Sequence, residues 1–242
     1  MVTIYNDHYS KLSYAFLQEN ASRKEILKGK LAFKQYGRKV GVEIEQYHAD
    51  NRRFIDNDFI NRVKEQGQTI TYCGFNAHHQ HCKVEKQIRD LQERSRIMIL
   101  HATHQLPDEI TPHLWAYALK MANEIRNIMP RSQDGLVPIA LFAQTNQVQQ
   151  FDHPNPSGCP VYILDTRLQQ MKKIDKWQQR SRIGVYLGQS GNHARTVHLF
   201  LSIKTGLVSP QYDVQFNKYF KTTRWKEYLP KSIWQVKARL RC

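Results

Sequence analysis

The chain has 242 residues, 40% of them hydrophobic and twelve of them tyrosine. That length holds one large domain or two small ones, the composition excludes wholesale disorder, and no window approaches the roughly eighteen apolar residues of a membrane span. Lys and Arg number 36 against 21 Asp and Glu, a net charge of +15 carried mostly by residues 151–242, and such an excess favours a polyanionic partner through phosphate neutralisation and counterion release.

Residues 2–7 and 12–18 are rich in Val, Ile, Tyr and Phe and predict two strands that pair as an antiparallel hairpin across Ser10-Lys11. Ser22 with Glu25 three residues on has the form of a capping box. Ile26, Leu27, Leu31, Phe33 and Tyr36 recur near helical spacing until Gly37 and Gly41. Residues 42–47 predict a strand, 59–66 a short helix and 69–73 a further strand. A long helix is expected from Val84 to about His104, with Ile88, Leu91, Ile97, Met98 and Leu100 as its apolar stripe, and another over 114–129. The order of strands and helices predicts a mixed α/β layer with a crossover helix between adjacent strands.

Residues 142–158 are rich in Gln, Asn and Pro and read as a linker. Beyond them, short strands are expected at 160–164, 183–187, 196–203, 207–208 and 212–216, with Gly184, Gly188, Gly191 and Gly206 at or between them. That spacing suggests a small β-barrel or sandwich. Residues 218–242 are basic and aromatic. No basic-then-apolar leader opens the chain, so no secretory signal is expected. The cysteines, Cys73, Cys82, Cys159 and Cys242, form no disulfide framework, which points to a reducing, intracellular compartment.

Two carboxylates stand out. Asp50 closes the third strand and Glu85 opens the long helix, both at ends that face the crevice of an α/β sheet. Two-metal phosphodiester chemistry needs carboxylates that converge on hard cations, and Mg²⁺ suits such a site because it keeps water and substrate oxygens in its octahedron. Each residue also has an ordinary reading. Asp-Asn after a strand is turn chemistry, and Glu in a first helical turn is favoured by the helix dipole and can pair with Arg89.

The neighbouring residues favour the catalytic reading. His48-Ala49-Asp50-Asn51 followed by Phe54, and Gly74-Phe75-Asn76-Ala77-His78-His79-Gln80 followed by Glu85-Lys86, resemble the integrase core of copia-type LTR retrotransposons. There an Asp in an H-x-D-N-G run and a Glu after an N-A-H-x-Q-N-G run are the second and third members of the catalytic triad. Downstream, Val161-Tyr162, Ser181 to Gly188, Thr205 to Ser209 and Asp213 to Phe216 resemble the SH3-like module that follows the core. The match covers roughly Val2 to Thr223.

The resemblance implies an α/β fold: a ribonuclease-H-like mixed sheet with flanking helices over 1–141, its first strand missing. A linker at 142–158, an SH3-like β-barrel module at 159–217 and a basic tail at 218–242 follow. It implies Asp50 and Glu85 as catalytic ligands of Mg²⁺ or Mn²⁺. It also implies DNA as partner, homo-oligomerisation within a complete integrase, no membrane, and a nuclear location with a cytoplasmic particle stage. The reaction would be metal-dependent end processing and strand transfer. A non-catalytic nucleic-acid-binding remnant and a metal-dependent nuclease of the same fold are the competing readings.

Three departures bear on competence. The family's first catalytic aspartate falls on a strand preceding the one at 2–7, and Asp7 is the alternative owner of that role. Arg52 and Cys82 stand where the family has glycine, which at turns supplies a positive φ or a close backbone approach. Together they imply a truncated or decayed core with impaired catalysis. Cys73, His78, His79, His81 and Cys82 have the ligand types for zinc but lack paired ligand spacing.

Lys83, Lys86 and Arg89 flank Glu85 as candidate phosphate contacts, with Arg52 and Arg53 weaker ones. Lys172, Lys173, Lys176, Arg180 and Arg182 cluster around Trp177, and Lys218 to Tyr228 forms a second basic-aromatic group. Such interleaving suits single strands or distorted duplex, through stacking plus phosphate contact. The plainer account is a solvated basic surface.

Overall fold

Strand β1 (Val2–Asn6) and strand β2 (Ser13–Leu17) form the expected hairpin, Val2 opposite Leu17 and Asn6 opposite Ser13. The computed structural model that shows this describes residues 1–49, 54, 57–72, 78–145, 155–194 and 196–221, without the side chains of 58 and 78–83. The chain divides into two compact units, one built from residues 1–92 and 123–151, the other from 93–122 and 152–242, as far as these are described.

In the first unit, helix α1 (Arg23–Lys39) follows the hairpin. The capping box is not formed: Ser22 makes no side-chain cap bond, and Glu25 instead pairs with Lys28 at 2.6 Å. The helix buries Ile26, Gly29, Lys30, Phe33 and Gly37, the single face that contacts at i, i+3 and i+4 produce. Leu31, assigned to the apolar stripe from sequence, is 40% exposed, whereas Lys30 is 1% exposed. Gly29 explains the rotation. A Cβ there would lie 2.9 Å from Phe16 Cδ1 and from the Tyr5 hydroxyl. The helix can therefore sit close on the hairpin only with Gly29 inward, and Lys30 turns in beside it.

Strand β3 (Gln46–Ala49), helix α2 (Asn57–Glu65) and strand β4 (Thr69–Tyr72) form a strand–helix–strand unit. The strands are parallel, in register from Gln46 opposite Thr69 to Ala49 opposite Tyr72. Parallel neighbours need such a crossover, which α2 provides. The strand expected over 42–47 is displaced toward the C-terminus; Val42 and Ile44 pack on the core without pairing. Tyr5, Leu12, Phe33, Tyr47, Phe59, Val63 and Phe142 share one buried cluster, with the Tyr5 and Phe33 rings stacked 4.9 Å apart. Among the described residues, β1–β2 and β3–β4 remain separate two-stranded sheets.

Helix α3 (His78–Gln105) begins six residues before the expected start at Val84, and a 3₁₀ turn (Pro112–Leu114) leads into α4 (Trp115–Ile128). A short helix, α5 (Pro138–Phe142), opens on proline where no element was expected and brings Phe142 into the core.

The second unit holds a five-stranded antiparallel sheet. Its strands are β5 (Pro160–Leu164), β6 (Ser181–Gln189), β7 (His198–Ser202), β8 (Val208–Gln211) and β9 (Val214–Phe216), in the order β8-β7-β6-β5-β9. Asp165 accepts from the Arg167 N–H and caps a single turn, α6 (Thr166–Gln169), ahead of the long β5–β6 connection. Between Tyr186 and Gly188 the β6–β7 register shifts, and Gly188 there sits at φ +124°, a backbone conformation that favours glycine. Pro210 lies in β8, an edge strand, where a missing N–H is tolerated. Cys159 is buried, and burial pushes its thiol up to about 12, so it is a packing residue.

Candidate functional site

Ala49 and Tyr72 are the last residues of β3 and β4 and are opposite one another. In a parallel pair both chains leave the sheet at the same edge. The run with Asp50 and the run from Gly74 to Gln80 therefore depart from adjacent strand ends. Asp50 itself, Asn51, Arg52, Arg53 and residues 73–77 lie outside the described residues.

The described residues show what borders that edge. His48 and Thr71 are cross-strand neighbours, with the His48 Nδ1 2.9 Å from Thr71 Oγ1. His48, part of the motif, is thus engaged across the sheet. Tyr72 donates its hydroxyl hydrogen to the Phe54 carbonyl at 2.6 Å. Phe54 also packs edge-on against Phe59 of α2, centroids 5.5 Å apart. These two contacts fasten the chain four residues beyond Asp50 to the end of β4 and to the crossover helix. The sequence did not single out Tyr72, because the strand expected there ran to residue 73, whereas β4 ends at Tyr72.

Glu85 lies in α3, and its carboxylate is exposed. Because the helix starts at His78, Glu85 is two turns in, beyond the first turn where the helix dipole favours an acid. The same early start corrects the reading of Cys82: position 82 has helical backbone, so no glycine is required there. The side chains of His78, His79, His81, Cys82 and Lys83 lie outside the described residues, and with them the zinc reading. Gln87 and Leu91 face inward at 4% and 0% exposure, which leaves Glu85, Lys86 and Arg89 on the outer side. No ion pair joins Glu85 to Arg89 among the described residues. Glu85 is a hard oxygen donor of the kind Mg²⁺ or Mn²⁺ takes. Among the described residues no group of three His, Cys, Asp or Glu is placed to hold a metal.

Asp7 is committed elsewhere. Its Oδ2 accepts from both the Ser10 N–H and Ser10 Oγ at 2.7 Å, closing the β1–β2 turn.

In the second unit Lys172, Lys173, Lys176 and Arg180 are exposed on the connection between α6 and β6. Trp177, on the same connection, is 91% exposed, with Lys176 Nζ 5.6 Å from its ring centroid. Arg224, Trp225, Lys226 and Tyr228 lie outside the described residues, while Lys218 and Lys221 are within them.

No protein-family profile matches this chain, and no curated protein sequence does. Among solved structures, the chain is similar to a chain of the cryo-electron-microscopy structure of the simian T-cell lymphotropic virus intasome in complex with PP2A regulatory subunit B56 gamma. Identity is 12% over 89% of this chain and 71% of that one, with a TM-score of 0.47.

Proposed function

We propose that the chain is the catalytic core and trailing β module of a copia-type retrotransposon integrase: a ribonuclease-H-like unit followed by an SH3-like one. Its activity is DNA end processing and strand transfer, weakened by Arg52 standing where the family has glycine after Asp-Asn. The observation that supports this reading is the parallel pairing of β3 with β4, whose last residues, Ala49 and Tyr72, lie opposite one another and precede the two motif runs in sequence.

In this reading Asp50 and Glu85 hold Mg²⁺ or Mn²⁺. When bound, such cations activate the attacking oxygen and neutralise charge on the leaving one. The chain's own residues do the rest. Lys83, Lys86 and Arg89 hold backbone phosphates beside Glu85, and Tyr72 fixes the segment after Asp50 through Phe54. Lys172, Lys173 and Lys176 hold DNA at the β module. The complete enzyme works as a homo-oligomer on nuclear DNA.

A strand-transfer assay with labelled duplex and Mn²⁺ tests the proposal. Weak joining that disappears in Asp50→Asn and in Glu85→Gln supports it. Cutting without joined products would make the protein a nuclease. Inactivity beside tight, salt-sensitive DNA binding would make it a non-catalytic binder.

A further inference from the structure

The connection from α6 to β6 presents a combination that packing does not explain. Trp177 is 91% exposed and Met171 96%, on a segment that also carries Lys172, Lys173, Lys176 and Arg180, all exposed. Its two ends are tied down. The Lys172 N–H donates to the Arg167 carbonyl at 2.8 Å, and the Asp165 N–H donates to the Arg180 carbonyl at 2.8 Å. Between them, Gln178 N–H donates to the Asp175 carbonyl at 3.0 Å in a turn that contains Lys176 and Trp177. The aromatic ring is therefore displayed on a turn with fixed ends.

Charge on this segment is nearly one-signed. Asp165 is neutralised by Arg167, whose Nε lies 3.1 Å from its carboxylate and whose guanidinium holds its carboxyl below the usual carboxylate range. That leaves Asp175 against three lysines and Arg180. A large π-face ringed by cations matches an unpaired nucleobase with its flanking phosphates. The base stacks on the indole and the phosphates meet the ammonium groups. Paired bases in a duplex have no free face to offer, so the same surface meets duplex only through its phosphates.

We propose that Trp177 is a stacking platform for an unpaired base, making the 170–180 segment selective for single-stranded or frayed DNA over duplex. This rests on the nucleic-acid reading above but not on catalysis. An anionic membrane, the other surface that attracts lysines beside tryptophan, would draw the indole into lipid and pull Lys176 off the ring.

The test is fluorescence anisotropy with the full chain, a labelled oligo-dT strand and a labelled duplex of the same length, across a salt series. Trp177→Ala is expected to weaken single-strand binding about tenfold while duplex binding stays within about twofold, and Trp177→Phe to restore most of the loss. The salt slope should not change in Trp177→Ala, because indole releases no counterions. Joint replacement of Lys172, Lys173 and Lys176 by Ala should weaken both ligands and flatten both slopes. Equal losses on strand and duplex in Trp177→Ala, or no loss on either, would overturn the stacking role. Binding to phosphatidylserine vesicles that is lost in Trp177→Ala, with oligo-dT binding unchanged, would overturn it in favour of lipid. Failure of the wild-type chain to bind any nucleic acid would instead sink the underlying functional reading.

Discussion

Asn127 pairs with the backbone of Ser13 as a neighbouring strand would. Its Oδ1 accepts the Ser13 N–H at 2.9 Å, and its Nδ2 donates to the Ser13 carbonyl at 2.6 Å. Asn123, one turn earlier on α4, donates to the same carbonyl at 3.0 Å and accepts from Ser13 Oγ. Arg126 donates to the Lys11 carbonyl at 2.9 Å, and Arg131 to the carbonyls of Tyr9 and Ser10. The outer edge of β2 and the hairpin turn are therefore closed by side chains from the end of α4 and from Arg131 just beyond it, with Ser10 and Ser13 buried and satisfied.

Asn127→Ala should cost about 1–3 kcal/mol, the usual penalty for stripping a buried backbone N–H of its partner. Denaturant midpoints measure the loss, and amide exchange at Ser13 should rise. Asn127→Asp keeps an acceptor for the Ser13 N–H but removes a donor to its carbonyl. An Asp variant as stable as wild type would contradict the pairing.

Lys30 makes the stability of the first unit depend on pH. Its ammonium is buried over the rings of Tyr47 and Phe59, at 5.5 and 5.7 Å, with the Arg62 carbonyl and Gln66 Oε1 each at 3.4 Å. Burial, with Lys34 and Arg62 adding repulsion, lowers its pKa to about 8. Between that value and the unfolded pKa, the unfolded chain binds the extra proton, so stability rises as pH increases through this window and is lower below it. Lys30→Met removes the burdened charge while keeping the volume. It should raise stability by about 1–2 kcal/mol at neutral pH. The difference between wild type and variant should shrink toward pH 10; a difference independent of pH would refute the assignment.

Tyr72→Phe deletes one hydroxyl, the one that donates to the Phe54 carbonyl. A stability loss of about 1 kcal/mol is expected, with faster amide exchange around Phe54. If the segment after Asp50 serves catalysis, strand transfer should fall more than stability does, since the tether acts on positioning. Equal activity with the tether gone would remove Tyr72 from the site.

Gly158 has φ +75°, and a Cβ on it would stand 2.5 Å from Ala102 Cβ. Gly158→Ala should therefore cost about 2 kcal/mol or more, from left-handed backbone plus collision. Pairing it with Ala102→Gly should recover the collision part alone, which a double-mutant cycle reads as a favourable coupling.

Much of the molecule was legible in one dimension. Richness in Val, Ile, Tyr and Phe set β1 and β2, helical spacing set α1, and the stretch ahead of Pro130 set α4. These are local signals, written by the periods of helix and strand and by residue types at fixed spacing. Of the Asp50 run, His48, Ala49 and Phe54 are described, whereas Asp50 to Arg53 lie outside the described residues.

What needed the tertiary structure were features whose partners are far along the chain. Lys30 faces inward because Gly29 must meet Phe16 and Tyr5, which no periodicity within α1 announces. Asn123 and Asn127 look like polar interruptions of α4 until Ser13 is seen beside them. Ser22 and Glu25 matched a capping box, yet Lys28 took the glutamate. Helix α3 runs back to His78, through a histidine-rich segment with little apolar pattern, so Glu85 sits two turns inside it. The sequence by itself determined which residues are periodic and which motifs come in order. Only the fold decided which face turns inward and which polar groups find partners, because those choices minimise unpaired polar atoms and voids over contacts that span the whole chain.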